Sequence, residues 1–343
     1  MQNQTAKILF FFHIVTCAIF FPAGCTHPKH EINTDHIGVK VTIRRFDLDL
    51  FTMSPDTIPL HFSSLNKNHH RFLELFTGQI INIGPAEGAA TVSALRDFVS
   101  DYDIQSVYND CKQNFQDLSL PENELTAAFK RYKYFFPDKT VPEVTAFISG
   151  FNYSIVTGDS LTGIGLDMYM GADYNYYTML GFPLYRRWNM NKNAISADCL
   201  RGWLTAEFAP GISKQELIYS MIHHGKILYL LEILFPEAHD SLIAGYSAKQ
   251  VEWCRGNIVP VWSFFIDKQL FYSTDYSENN KYLNEGPFTP GMPQASPGGI
   301  GKWLGWQVVR AYMKRFDELS PAELMNEPDH RKIFMESHFR PGA

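Results

Sequence analysis

The hydrophobic and polar positions along the chain change period three times. Val39, Val41 and Ile43 alternate with polar neighbours, the two-residue repeat of a half-buried strand, and RRFDLDLF from Arg44 continues that edge towards the first helices. Residues 60–136 then read as helical with a polar face, marked by the run Ala89 to Tyr102 and by Glu122 to Phe136, which Pro137 ends. From Val141, β-branched and aromatic residues punctuated by glycine predict strands over 143–150, 153–157 and 162–169, with a turn at Gly158-Asp159. The segment YNYYTMLGFPLYRRWNM from Tyr174 reads as an aromatic loop or lid.

Helical spacing returns at 196–207. Ser213 with Glu216 has the form of a capping box for a helix over Lys214 to Phe235, stopped by Pro236. Ser247 with Gln250 predicts another cap, for a helix over 248–270 that Pro260 kinks. The loop TPGMPQASPGGIG leads into a helix from Ile300 to Arg315, and Pro321 takes the first position of a last short helix. Helices, then a small sheet, then helices predict an α+β fold: mainly helical, with a small mixed sheet, in a single domain over 38–343.

The first 24 residues carry a different pattern. Lys7 precedes an apolar stretch from Ile8 to Phe21, shorter than the roughly 20 residues a membrane span needs but suited to a secretory signal. Ala23, Gly24 and then Cys25 follow it in the manner of a bacterial lipoprotein signal, although Pro22 stands where an aliphatic residue is usual. Cys17 is the poorer acceptor, because Thr16 precedes it and the apolar stretch before it is short. The expectation is a signal peptide over 1–24, a lipid on Cys25 and a polar tether over 25–37. The lipid would hold the protein on a membrane face with no spanning helix.

Charge and cysteine usage narrow the partners. The 30 Lys and Arg against 36 Asp and Glu give a net charge of −6. No run of basic residues exceeds two, so no stripe exists to neutralise phosphates, and no nucleic acid is expected as a partner. Beyond Cys25, the thiols Cys111, Cys199 and Cys254 form no CxxC pair, which argues against zinc knuckles and thioredoxin-like chemistry and leaves buried free thiols as the expectation.

Candidate chemistry concentrates in IHHGKILY, from Ile222. The chain from Leu217 to Phe235 is apolar nearly all round, which predicts a buried helix. Lys226 within it needs a carboxylate, a path to water or the loss of its proton; Asp167, Asp173 and Glu252 are candidate partners. A zinc peptidase needs histidines at i and i+4 with a glutamate after the first, HExxH. Four residues beyond His223 stands Ile227, beyond His224 stands Leu228, and His224 holds the place of the glutamate. His69 and His70 fail the same test, and the motif occurs nowhere in the chain. Adjacent histidines point about 100° apart on a helix, so they make no ready chelate. Neither a metal nor a cofactor is expected. His223 and His224 read either as hydrogen-bonded core residues or as residues lining a binding groove. GGIGK at 298–302 is not a phosphate-binding Walker loop, since Ser296 and Trp303 stand where Gly and Ser or Thr are required; it reads as a loop entering a helix tightly. A GxSxG serine elbow is absent.

The block GKILYLLEILFPEAHDSLIAGYSAKQVEWCRGNIVPVWSFFIDKQLFYSTD and the block GPFTPGMPQASPGGIGKWLGWQVVRAYM resemble the gliding motility-associated lipoprotein GldB family of Bacteroidetes-type bacteria. The lipoprotein-like start and RFDLDLF fit the same family, and the resemblance spans residues 25–341. That family is similar in layout to predicted zinc proteases, and Ile222-His223-His224-Gly225-Lys226 occupies their HExxH position. The resemblance therefore implies a zincin-like scaffold that has lost its metal site. It implies a lipid-anchored, periplasm-facing envelope component of the gliding and associated secretion machinery, a non-enzyme whose partners are the membrane and other machinery proteins. Its cleft would bind through His223, His224, Lys226, Asp167, Asp173 and Glu252, with Tyr174, Tyr176, Tyr177 and Trp188 as aromatic walls. The alternative expectation is an envelope peptidase or hydrolase with a non-standard active site in that cleft.

Overall fold

Strand β1 (Ile43–Arg45) runs directly into helix α1 (Phe46–Phe51), so the edge strand expected through RRFDLDLF ends early. Phe46, Leu48 and Leu50 alternate as a strand would, but Phe46, Asp47, Leu50 and Phe51 are buried together, which is one face of a helix. Arg45 lets that face turn inward by holding the buried Asp47 carboxylate through two bonds of 2.8 and 2.6 Å. The computed structural model describes residues 32–210 and 216–342. The signal peptide, Cys25, the start of the tether, Ser213 and Lys214 lie outside the described residues.

Helices α2 (Ile58–Leu75), α3 (Ala89–Ser100), α4 (Tyr102–Asn114) and α5 (Ser119–Phe135) fill the region read as helical. The run expected to continue to Tyr102 breaks at Asp101, whose carboxylate caps α4 by accepting the Ile104 N–H at 3.0 Å.

Strands β2 (Glu143–Phe147), β3 (Ile155–Gly158) and β4 (Leu161–Gly165) join β1 in a mixed sheet of order β1-β2-β4-β3. β1 with β2 and β2 with β4 are parallel; β3 and β4 form an antiparallel hairpin. β2 stops short of residue 150 because the Asp167 carboxylate takes the Ser149 and Phe151 N–H groups at 3.1 and 2.6 Å, turning the chain out of the sheet. β4 stops short of 169 because Leu166–Met168 coil into a 3-10 turn. Side chains alternate across the sheet. Val156 and Phe147 lie with Phe72 of α2 on one face, the Phe72 and Phe147 rings 5.6 Å apart.

The aromatic segment is not an irregular loop. It forms helices α6 (Asn175–Met179) and α7 (Leu184–Arg187). Its phenols tie it down: Tyr174 donates to Asp110 at 2.8 Å, Tyr176 to Asp103 at 3.2 Å, and the buried Tyr177 to the Asp167 carbonyl at 2.7 Å. Helix α8 (Ile195–Glu207) then covers the second face of the sheet, where Gly202 admits Ile155 and Thr157.

Helix α9 (Leu217–Leu234) is buried nearly all round, as its pattern predicts. Each fully buried Leu or Ile there contributes about 1.5–3 kcal/mol. It begins at Leu217, after the expected Lys214, and Glu216 makes no side-chain cap. Short helices α10 (Asp240–Ala244), α11 (Ala248–Gly256), α12 (Ile258–Asp267) and α13 (Tyr276–Leu283) follow. The helix expected over 248–270 is thus two, broken at Asn257 and not kinked at Pro260. Pro260 sits in the first turn of α12, where its missing N–H removes no helical bond. The Ser247–Gln250 capping box forms as read.

Helix α14 (Ile300–Arg315) crosses α9 backbone to backbone at Gly225 and Gly305. A Cβ on Gly225 would run into the Gly305 carbonyl, and one on Gly305 into the Met221 carbonyl. The chain ends in α15 (Pro321–Asn326), with Pro321 at its start, and α16 (His330–Glu336). Cys111, Cys199 and Cys254 are free and buried. No helix among the described residues is long and apolar enough to cross a membrane.

Candidate functional site

The two adjacent histidines of α9 lie about 100° apart round the helix and meet different neighbours. His223 and Lys226, three residues apart on one face, point into a buried pocket closed by the segment between α15 and α16. Lys226, 2% exposed, donates from Nζ to the Glu327 carbonyl oxygen at 2.6 Å. Burial lowers its pKa to about 8, with the Glu327 charge acting the other way. The His330 ring lies 6.3 Å from that of His223 and 3.9 Å from that of Tyr219. His330 Nδ1 bonds the Pro328 carbonyl at 2.9 Å, which makes it the donor and leaves Nε2 buried without a partner among the described residues. Burial, with the Lys226 charge, pushes His223 and His330 each down to about 4. All three residues therefore serve as packed, largely uncharged or singly bonded groups joining the C-terminal segment to α9.

His224, its ring 5.7 Å from that of His223, lines a cleft of about 550 Å³ between α8, α9, the start of α14 and the β3 edge of the sheet. The Tyr185–Met190 segment forms part of its rim. Burial first, then Lys302 and His223, holds His224 neutral, with a pKa near 3. One wall carries a network about Asp198, which accepts from Tyr169 at 3.2 Å and Asn189 at 3.3 Å and pairs with Arg201. Arg201 also donates to the Leu242 and Ile243 carbonyls, fixing α10 to the cleft. The opposite wall is the GGIGK entry to α14. Gly299 adopts φ 68°, and a Cβ there would press on the Leu283 and Asn284 carbonyls at 3.1 and 3.2 Å, so only glycine enters this turn without strain. Buried Thr289 braces the loop by donating to the Pro297 carbonyl at 2.6 Å, and Tyr246 donates to Gly298 at 3.0 Å. Lys302 follows on the first turn of α14 and lines the cleft.

The structure places His223 and Lys226 against the C-terminal segment, and His224, its ring 5.7 Å from that of His223, on the cleft. It pairs Lys226 with none of the expected carboxylates. Asp167 is spent on the 149–151 turn, where burial raises its pKa to about 6, and Asp173 and Glu252 are exposed. Of the expected aromatic walls, Trp188 lines the cleft, whereas Tyr174, Tyr176 and Tyr177 anchor α6. Glu327 and His330 were not legible as neighbours of Lys226, and Lys302, Arg201 and Asp198 were not legible as cleft residues. A signal for Lys302 existed: it is the one charged residue in the otherwise apolar first two turns of α14, Ile300 to Trp306, the reasoning that singled out Lys226. Among the described residues, no group of three or more His, Cys, Asp and Glu is placed to hold a metal ion.

No curated protein and no solved structure matches the chain. A family model does: over residues 27–341 the chain matches the lipoprotein family described as gliding motility protein GldB, and it belongs to that family.

Proposed function

We propose that this protein is a lipid-anchored, periplasm-facing component of the gliding machinery that acts by binding a partner in the α8–α9–α14 cleft and not by catalysis. Family membership ties the chain to gliding motility. The observation that carries the binding reading is His224. Among the described residues it is the one histidine lining the cleft, it is held neutral, and it makes no hydrogen bond to a described carboxylate or hydroxyl. A general base needs such a partner to orient it and a nucleophile within reach. The rest of the lining suits recognition, with apolar walls at Ile155, Met168, Trp188 and Leu228 and polar groups at fixed points.

A photo-crosslinker at Tyr185, on the cleft rim, should capture another protein of the gliding machinery in the native envelope, and one at the distant, exposed Leu60 should not. If the purified chain instead carries stoichiometric zinc and cleaves a peptide library, the binding reading gives way to the hydrolase one.

A further inference from the structure

The charges lining the cleft do not balance. Asp198 pairs with Arg201, and Glu285 with Arg186 at 3.8 Å. That leaves Lys302, whose ammonium makes no ion pair or hydrogen bond with any described residue although its side chain is largely enclosed. Arg201 and His224 line the cleft with it from the α8 and α9 sides, so a like charge and a neutral ring stand near it, with the Glu285 carboxylate the one opposite charge acting on it among the described residues. A cation removed from water with no counter-charge is costly. Glu285 acts on it favourably from beyond ion-pair distance, but it is exposed and shared with Arg186 at 3.8 Å, so it offsets the burial only in part, and the Lys302 side chain lines the cleft.

We propose that the cleft takes a ligand carrying one oxyanion, a carboxylate or a phosphate, with Lys302 as its counter-charge and the apolar walls holding the body of the ligand. This deepens the binding reading above and rests on it. The N–H groups at the start of α14 add partial positive charge on the same side. The volume of about 550 Å³ far exceeds what an oxyanion alone fills and falls within the roughly 300–1,000 Å³ of small-molecule sites. Ile155, Met168, Trp188 and Leu228 would cover the uncharged part.

The test uses the full chain in detergent, with acetate and inorganic phosphate as probes at constant ionic strength. Acetic anhydride labelling, read by peptide mass spectrometry, should slow at Lys302 by at least about fivefold under a saturating probe and stay unchanged at the exposed Lys281. Protection by acetate alone identifies a carboxylate site, and by phosphate alone a phosphate site. In Lys302→Gln the probe should no longer raise the Tm, whereas Lys281→Gln should respond as the native chain does. Equal labelling of Lys302 with and without both probes overturns the proposal, as does an undiminished Tm response in Lys302→Gln. The footprint needs no variant, so a folding defect in Lys302→Gln leaves it decisive. Should Lys302→Gln lose the probe response yet crosslink its partner normally from Tyr185, the oxyanion site stands and partner binding in the cleft fails.

Discussion

His223, His224 and His330 set an acid limit on stability. The folded pKa values of His223 and His330 lie near 4 and that of His224 near 3, all below the ordinary 6.5. Between pH 6.5 and 4 the unfolded chain therefore binds more protons than the folded one, and stability falls as pH falls. Each histidine that stays neutral adds about 1.4 kcal/mol per pH unit to that slope. Lys226 acts in the alkaline range: with a folded value near 8 against 10.5, it makes stability rise between those values. Urea midpoints measured from pH 7 to 4 should drop steeply, and His330→Gln should flatten the slope; an identical slope in the variant would remove His330 from this account. The need of Lys226 for a partner was legible in the sequence. The partner was not, because it is a main-chain carbonyl 101 residues away, which no residue type advertises.

Two contacts govern how α9 and α14 meet. Gly225 and Gly305 let the backbones touch, and the atoms an added methyl would strike are main-chain carbonyls that cannot swing aside. Gly225→Ala should cost about 3 kcal/mol, at the upper end of overpacking penalties, as read by denaturant unfolding. A loss under about 0.5 kcal/mol would show that the helices are farther apart than described. Towards the C-terminal end of α9, Arg310 grips Glu232 at 2.8 and 3.0 Å and Asp240 at 2.7 Å while its guanidinium lies 3.7 Å over the Trp306 ring. Arg310→Met should cost about 2 kcal/mol, below a fully buried pair because the side chain is 27% exposed. The helix-forming stretches were readable from their period, and so were the Ser247 cap and Pro321 start. The Phe46–Phe51 helix and the break at Asn257 were not read: burial against neighbours overrode an alternating pattern in the first, and in the second the polar Arg255-Gly256-Asn257 interruption, a stop signal for α11, was passed over in favour of Pro260.

From Asn33 onward the chain forms one compact unit built round a small mixed sheet. Membership of the lipoprotein family fits an envelope location. Attachment through Cys25 then predicts that Cys25→Ser leaves the membrane fraction and loses labelled palmitate, with gliding impaired even if the folded unit is intact. Palmitate retained on the variant would assign the lipid to another residue, Cys17 being the first to test. One acyl chain binds membranes only marginally, whereas two or more hold firmly, so partition should be close to all-or-none.

The sequence by itself determined the helical and strand periods, the α+β order, the buried character of α9, the absence of HExxH and the family resemblance. These are properties of residues near one another in the chain. Tertiary structure alone settled what lies against His223 and against His224, which turn Asp167 serves, and that Lys302 lines a cleft without an ion pair among the described residues. Those depend on which distant segments are brought alongside α9, and the close crossing at Gly225 and Gly305 fixes α14 there.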